Sequence, residues 1–90
     1  MERIAVFPGT FDPITKGHEA IVSRAIPLFD KIIIAIGTNS AKSTLFTIDQ
    51  RMQWIKITFG NEPKVQVKTY EGLTVDFCKK EKAQYILRGL

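Results

Sequence analysis

The sequence predicts an α/β fold on a parallel, Rossmann-like sheet, with elements in the order β-α-β-α-β-α-β. Two observations predict it. The runs IAVFP (4–8) and KIIIAIG (31–37) are short, apolar and β-branched, and each ends at Gly or Pro. Such runs suit strands buried on both faces, as a parallel sheet requires. Stretches with apolar residues at helical spacing separate the strand-like runs, and that alternation builds a parallel sheet through right-handed crossovers.

Taken in order, the first strand spans 4–8. A helical pattern follows from Gly17 to Phe29, with Ile21, Val22, Ala25, Leu28 and Phe29 marking one face. Pro27 lacks an N–H and its ring crowds the preceding turn, so this helix is expected to kink or stop near Ala25 or Ile26. The second strand is 31–37. TIDQRMQWIKITF (47–59) opens with Thr47 and Gln50 at capping-box spacing, and Ile48, Met52, Ile55 and Phe59 recur at helical intervals. Trp54 on this helix reads as a core or oligomer contact. Asn61, Glu62 and Pro63 form a break. VQVKTY (65–70) alternates, which suggests a strand near an edge. TVDFCKKEKA (74–83) is a shorter helix, and QYILRGL (84–90) supplies the fourth strand.

Ninety residues with 44% hydrophobic and 24% charged content make one small soluble domain without internal boundary, repeat or low-complexity segment. The net charge of +4 suits a protein that handles anions. The basic residues are scattered apart from KKEK (79–82), a solvated helix face, so no nucleic-acid stripe is evident. Cys78, the single cysteine, excludes an intrachain disulfide and reads as a core residue. MERIAVF moves straight into a strand without the apolar region of a signal peptide. No apolar run approaches the roughly 20 residues that span a bilayer. No membrane partner and a cytoplasmic location are expected.

In an open parallel sheet, ligands bind at the carboxyl ends of the strands. Those ends carry GTFDPITKGH, GTNSAKSTLF, EGLT and RGL, and with them His18, Lys42, Thr74 and Arg88. Gly9 and Thr10 let the backbone pass close to a ligand, Asp12-Pro13 sets a turn, and Gly17 brings the helix start to the same place. A helix N-terminus offers free N–H donors and the positive end of the macrodipole. His18, the single histidine, adds a donor there. Taken alone it would be a satisfied first-turn residue; its setting points to phosphate. Arg88 at a strand end calls for an anionic partner, since an unpaired buried guanidinium is costly. Lys42 lies in a polar loop where solvated lysines are common, and Thr10 would also serve as a turn residue. The motif lacks the Gly-Lys-Ser/Thr ending of a Walker loop and does not match Gly-x-Gly-x-x-Gly.

GTFDPITKGH resembles the signature of the nucleotidylyltransferase superfamily, whose Thr/His-x-Gly-His element stands here as Thr15-Lys16-Gly17-His18. With IAIGTNSAKSTLFTIDQR and EGLTVDFCKKEKAQYILRGL, the whole chain is similar to the bacterial phosphopantetheine adenylyltransferases. The resemblance implies transfer of adenylate from ATP to phosphopantetheine, with Mg2+, giving dephospho-coenzyme A and pyrophosphate. It implies that Thr10, Phe11 and His18 contact ATP, and that His18 stabilises the transition state. Thr10, Lys42, Thr74 and Arg88 would bind phosphopantetheine, and Gly89 and Leu90 would begin an ATP-binding loop. A homo-oligomer, a hexamer in the family, is also implied. Family members continue beyond the position of Leu90, so the chain is expected to be the N-terminal part of the family fold, with apolar surface left to cover. The other readings are a different nucleotidylyltransferase, such as a cytidylyltransferase, and a non-catalytic phosphate- or nucleotide-binding module.

Overall fold

A computed structural model describes residues 1–38 and 44–88. Strand β1 (Ile4–Gly9) leads into helix α1 (Lys16–Ala25), a 3-10 turn (Ile26–Leu28) and strand β2 (Lys31–Gly37). Helix α2 (Ile48–Thr58), strand β3 (Val65–Tyr70), helix α3 (Thr74–Lys80) and strand β4 (Tyr85–Ile86) follow. The four strands form one parallel sheet in the order β3-β2-β1-β4. In register, Val6 lies between Ile33 of β2 and Ile86 of β4.

The alternation of side chains along the two central strands sorts the core into two layers. Phe7, Ile32, Ile34 and Ile36 face α1 and α2, where Val22, Ala25 and Ile55 meet them. Ile4, Val6, Ile33 and Ala35 face the other way, against Phe77 and Cys78 of α3. Ile32, Ile33, Ile34 and Ile36 are fully buried, each worth roughly 1.5–3 kcal/mol relative to exposure. Five successive buried residues in β2 are thus explained by helices on both faces. Cys78 is buried, and desolvation pushes its thiol pKa up, as suits a packing residue.

The helix ends follow local chemistry. Thr47 caps α2 through its side chain, which accepts from the Gln50 amide at 3.2 Å, and the Gln50 side chain returns a bond to the Thr47 amide. Pro27 ends α1 at Ala25 and leaves the 3-10 turn. Lys64 Nζ donates to the Ile26 carbonyl at 3.0 Å, placing a cation at that helix terminus.

The fourth strand departs from expectation. Of the run expected as the fourth strand (84–90), the described residues give the sheet Tyr85 and Ile86 alone, and both are 47% exposed. Among the described residues β4 is an edge strand, paired with β1 on one side. Arg88 accordingly follows an exposed strand rather than ending a buried one. At the opposite edge lies β3, as its sequence suggests, though its burial alternates over Val65, Gln66 and Val67 and then breaks at half-buried Lys68.

Candidate functional site

The topology creates the site. From β1 the chain steps outward through β2 to β3, then crosses behind the sheet and pairs β4 with the other side of β1. The strand order reverses between β1 and β4, and a crevice opens where neighbouring connections part to opposite faces. A cleft of about 730 Å³ lies there. Phe7 and Pro8 of β1 form its floor; Thr15, Gly17, His18, Ala20, Ile21 and Arg24 line it from α1 and its cap, and Arg88 after β4. Among the described residues no carboxylate lines it. The cleft therefore combines two guanidinium groups, an imidazole and a helix N-terminus, a set that favours anions.

The first turn of α1 fixes the state of His18. Thr15 is the N-cap, its hydroxyl oxygen accepting from the His18 amide at 3.3 Å. In return His18 Nδ1 accepts from the Thr15 backbone N–H at 3.0 Å and lies 3.1 Å from Thr15 Oγ1. The histidine thus stands where a capping box ordinarily has Glu or Gln. Because Nδ1 accepts, the proton of the neutral ring resides on Nε2, which is left as the donor for a ligand. Edge-on contacts with Phe11 and Phe7, at centroid distances of 4.8 and 5.9 Å, hold the ring in place. Partial burial lowers its pKa from the ordinary 6.5 by desolvation, so the imidazole is neutral at pH 7.

The loop between β1 and α1 is tightly built. Phe11 is buried with a φ of 48°, a left-handed conformation that costs a bulky residue roughly 1–3 kcal/mol. Its ring packs so close to Gly9 that a Cβ there would stand 3.0 Å from the ring edge, which is why Gly9 carries none. Asp12 reaches away from this loop to accept the amides of Leu45 and Phe46, at 2.5 and 2.8 Å. Arg51 of α2, only 4% exposed, reaches back. Its Nη1 donates to the Thr10 carbonyl at 2.9 Å and its Nε to the Phe46 carbonyl at 3.1 Å.

Among the residues singled out from sequence, His18 and Arg88 share the cleft. Thr10 and Phe11 occupy the adjoining loop. Thr74 stands at the same sheet edge but at the exit of β3, its hydroxyl 2.8 Å from the Tyr70 hydroxyl. Three strand spacings, about 14 Å, separate β3 from β4. Lys42, Gly89 and Leu90 lie outside the described residues. Arg24 escaped the sequence reading, although its spacing of seven from Gly17 puts both on one helix face. Arg51 escaped it too, since a basic residue in an amphipathic helix reads as solvated. Among the described residues no three His, Cys, Asp or Glu side chains gather into a metal set.

A doubly wound sheet with an anion cleft beside a capping histidine is in keeping with the nucleotidyltransferase class. The family model described as cytidylyltransferase-like matches residues 6–90, and the chain belongs to that family. Among curated proteins it is similar to the phosphopantetheine adenylyltransferase of Christiangramia forsetii, 60% identical over 96% of this chain and 57% of that protein. It is also 60% identical to the Flavobacterium johnsoniae enzyme of that name, over 98% of this chain and 58% of the relative. The Cytophaga hutchinsonii enzyme is 52% identical over the whole chain and 60% of its own length. The chain thus spans somewhat over half the length of these relatives.

Among solved structures, a bifunctional NMN adenylyltransferase/ADP ribose pyrophosphatase from Francisella tularensis, complexed with AMP and a manganese ion, aligns with a TM-score of 0.66 at 28% identity. The alignment covers 93% of this chain and 26% of that one. Plasmodium falciparum nicotinic acid mononucleotide adenylyltransferase aligns at 0.71 and 23% identity, over 94% of this chain and 49% of that one, a likeness of fold.

Proposed function

We propose that the protein transfers adenylate from ATP to phosphopantetheine, forming dephospho-coenzyme A and releasing pyrophosphate. The observation that carries this reading is the neutral, Nε2-protonated His18 held at a helix N-terminus, in a cleft with two arginines and, among the described residues, no carboxylate. The names of the relatives at 60% identity point to the same substrates.

The chemistry asks for those groups. A phosphate oxygen of phosphopantetheine attacks the α-phosphorus of ATP, the α–β anhydride bond breaks, and pyrophosphate carries away the bonding pair. The nucleophile is already an anion, so no base and no covalent intermediate are needed. Catalysis rests on alignment and on cancelling charge at the α-phosphate. His18 Nε2–H donates to an oxygen of that phosphate. Arg24 and Arg88 hold the anionic groups, with Lys42 and Thr74 on the phosphopantetheine. Thr10 and Phe11 contact ATP, Thr10 also meets the acceptor phosphate, and Gly89 and Leu90 begin the next ATP-binding segment. Mg2+ would come with ATP and would offset phosphate charge; among the described residues the cleft lining offers it no carboxylate, so substrate phosphates and water would make up its shell there. In this reading the protein works in the cytoplasm as a homo-oligomer of the family's hexameric type, and exposed Leu45 and Ile57 offer apolar surface for assembly.

Pyrophosphate release with ATP and phosphopantetheine, using the protein at its native length, tests the reading. The expected product is dephospho-coenzyme A by mass. Calorimetric binding of both ligands without turnover would select a binding module, and turnover with CTP alone another transferase. His18→Ala is expected to lower kcat roughly 10²–10³-fold with little change in KM, since the donor acts on charge developing in the transition state.

A further inference from the structure

We propose that Arg51 and Asp12 are positioning residues that lock the β1–α1 loop to the segment opening α2, so that the site's loops take position as one unit. This rests on the reading of the site given above.

The bonds run in both directions across the gap between the loops. Asp12, in the β1–α1 loop, accepts two amides from Leu45 and Phe46. Arg51, in α2, donates to the carbonyls of Phe46 and Thr47 on its own side and to that of Thr10 on the other. Phe46 is held by both devices, its N–H by Asp12 and its carbonyl by Arg51. Arg51 is buried, yet among the described residues no carboxylate lies within ion-pair distance of it. A buried guanidinium would ordinarily take a carboxylate. Here its forked donors are spent on three carbonyls. A fork that spans two chain segments fixes their separation, which a lysine's single point of charge does not.

The lock bears on chemistry through Thr10 and Phe11. Arg51 holds the Thr10 carbonyl, the next residue is the strained Phe11, and the Phe11 ring packs against His18. Releasing the lock frees Thr10 to drift and loosens one wall of the imidazole's seat. Displacement of about 1 Å is enough to cost up to 10²-fold in rate.

The test uses Arg51→Lys and Asp12→Asn in the protein at its native length, each first checked for folding by circular dichroism. Arg51→Lys is expected to lower kcat about 10–100-fold with KM within about threefold. The double variant Arg51→Lys/Asp12→Asn is expected to be no slower than the slower single variant within about twofold, because both residues act on one lock. A wild-type kcat in Arg51→Lys, or losses that multiply in the double variant, would overturn the proposal. Hydrogen exchange provides a readout independent of turnover. Each single variant should speed exchange at the amides of Phe11 and of Leu45 and Phe46 together, while Phe77 in α3 is unchanged. Faster exchange in one loop only would also overturn it. If the wild type fails to turn over ATP and phosphopantetheine, the functional reading falls and exchange alone decides the lock. Should Arg51→Lys not fold, Asp12→Asn carries the same kinetic and exchange measurements.

Discussion

His18 has two separable properties, a tautomer and a charge, and both are set by neighbours. The Thr15 amide selects the tautomer by using Nδ1 as its acceptor, and desolvation keeps the ring neutral. Protonating Nδ1 sets two donors against each other, so acid should loosen the first turn of α1. The sign follows from the lowered pKa. The unfolded chain takes up the proton first, so this contribution to stability is whole above about pH 6.5 and shrinks as pH falls from there through the folded-state value. Urea titrations between pH 5 and 8 should show that slope, and Thr15→Ala/His18→Gln should flatten it. Gly17 gives a second prediction. A Cβ there would meet nothing nearer than Thr15 Oγ1 at 3.6 Å, so Gly17→Ala fits the fold, with stability raised by up to about 1 kcal/mol, yet it places a methyl in the cleft. ATP affinity by calorimetry should fall while the melting temperature does not. At this scale the sequence was partly legible. A histidine after Gly in a helix's first turn can be read directly, whereas the burial of Arg51 depends on a partner carbonyl forty-one positions away.

At the scale of elements, two helices begin with the same device put to different ends. Thr47 with Gln50 only caps α2; Thr15 with His18 caps α1 and orients a ring that lines the cleft. Thr15→Ala and Thr47→Ala should each cost about 1 kcal/mol in denaturant unfolding. Only the first should move the His18 titration followed by NMR. Local signals made most elements readable: β-branched runs for β1 and β2, the Thr-x-x-Gln spacing for α2, the ring of Pro27 for the end of α1. The extent of β4 was not readable. Its last ladder bond runs from the Leu87 amide to the Val6 carbonyl, and the next β1 residue on that side is Pro8, which has no N–H to continue the pairing.

For the molecule as a whole, two layers of helix hold one central strand. Ile34 packs towards α1 and α2 while Ile33 packs towards α3, so β2 belongs to both cores. Ile34→Ala should cost about 2–5 kcal/mol, a large share of the roughly 5–15 kcal/mol typical of a domain, measured as a fall in the denaturant midpoint. The alternation of strands and helices predicts this layering, because each buried strand demands cover on both faces. Strand order is another matter, since no local pattern says which side of β1 the last strand takes. That side decides the outcome. His18 belongs to the first fifth of the chain and Arg88 to its last residues, and they become neighbours only through the pairing of Ala5 and Val6 with Tyr85 and Ile86. A nascent or refolding chain therefore has no receptor to offer until its most distant contact has closed. On the proposed reading, nucleotide would reward the finished molecule alone, raising its melting temperature without steering the route by which it was reached.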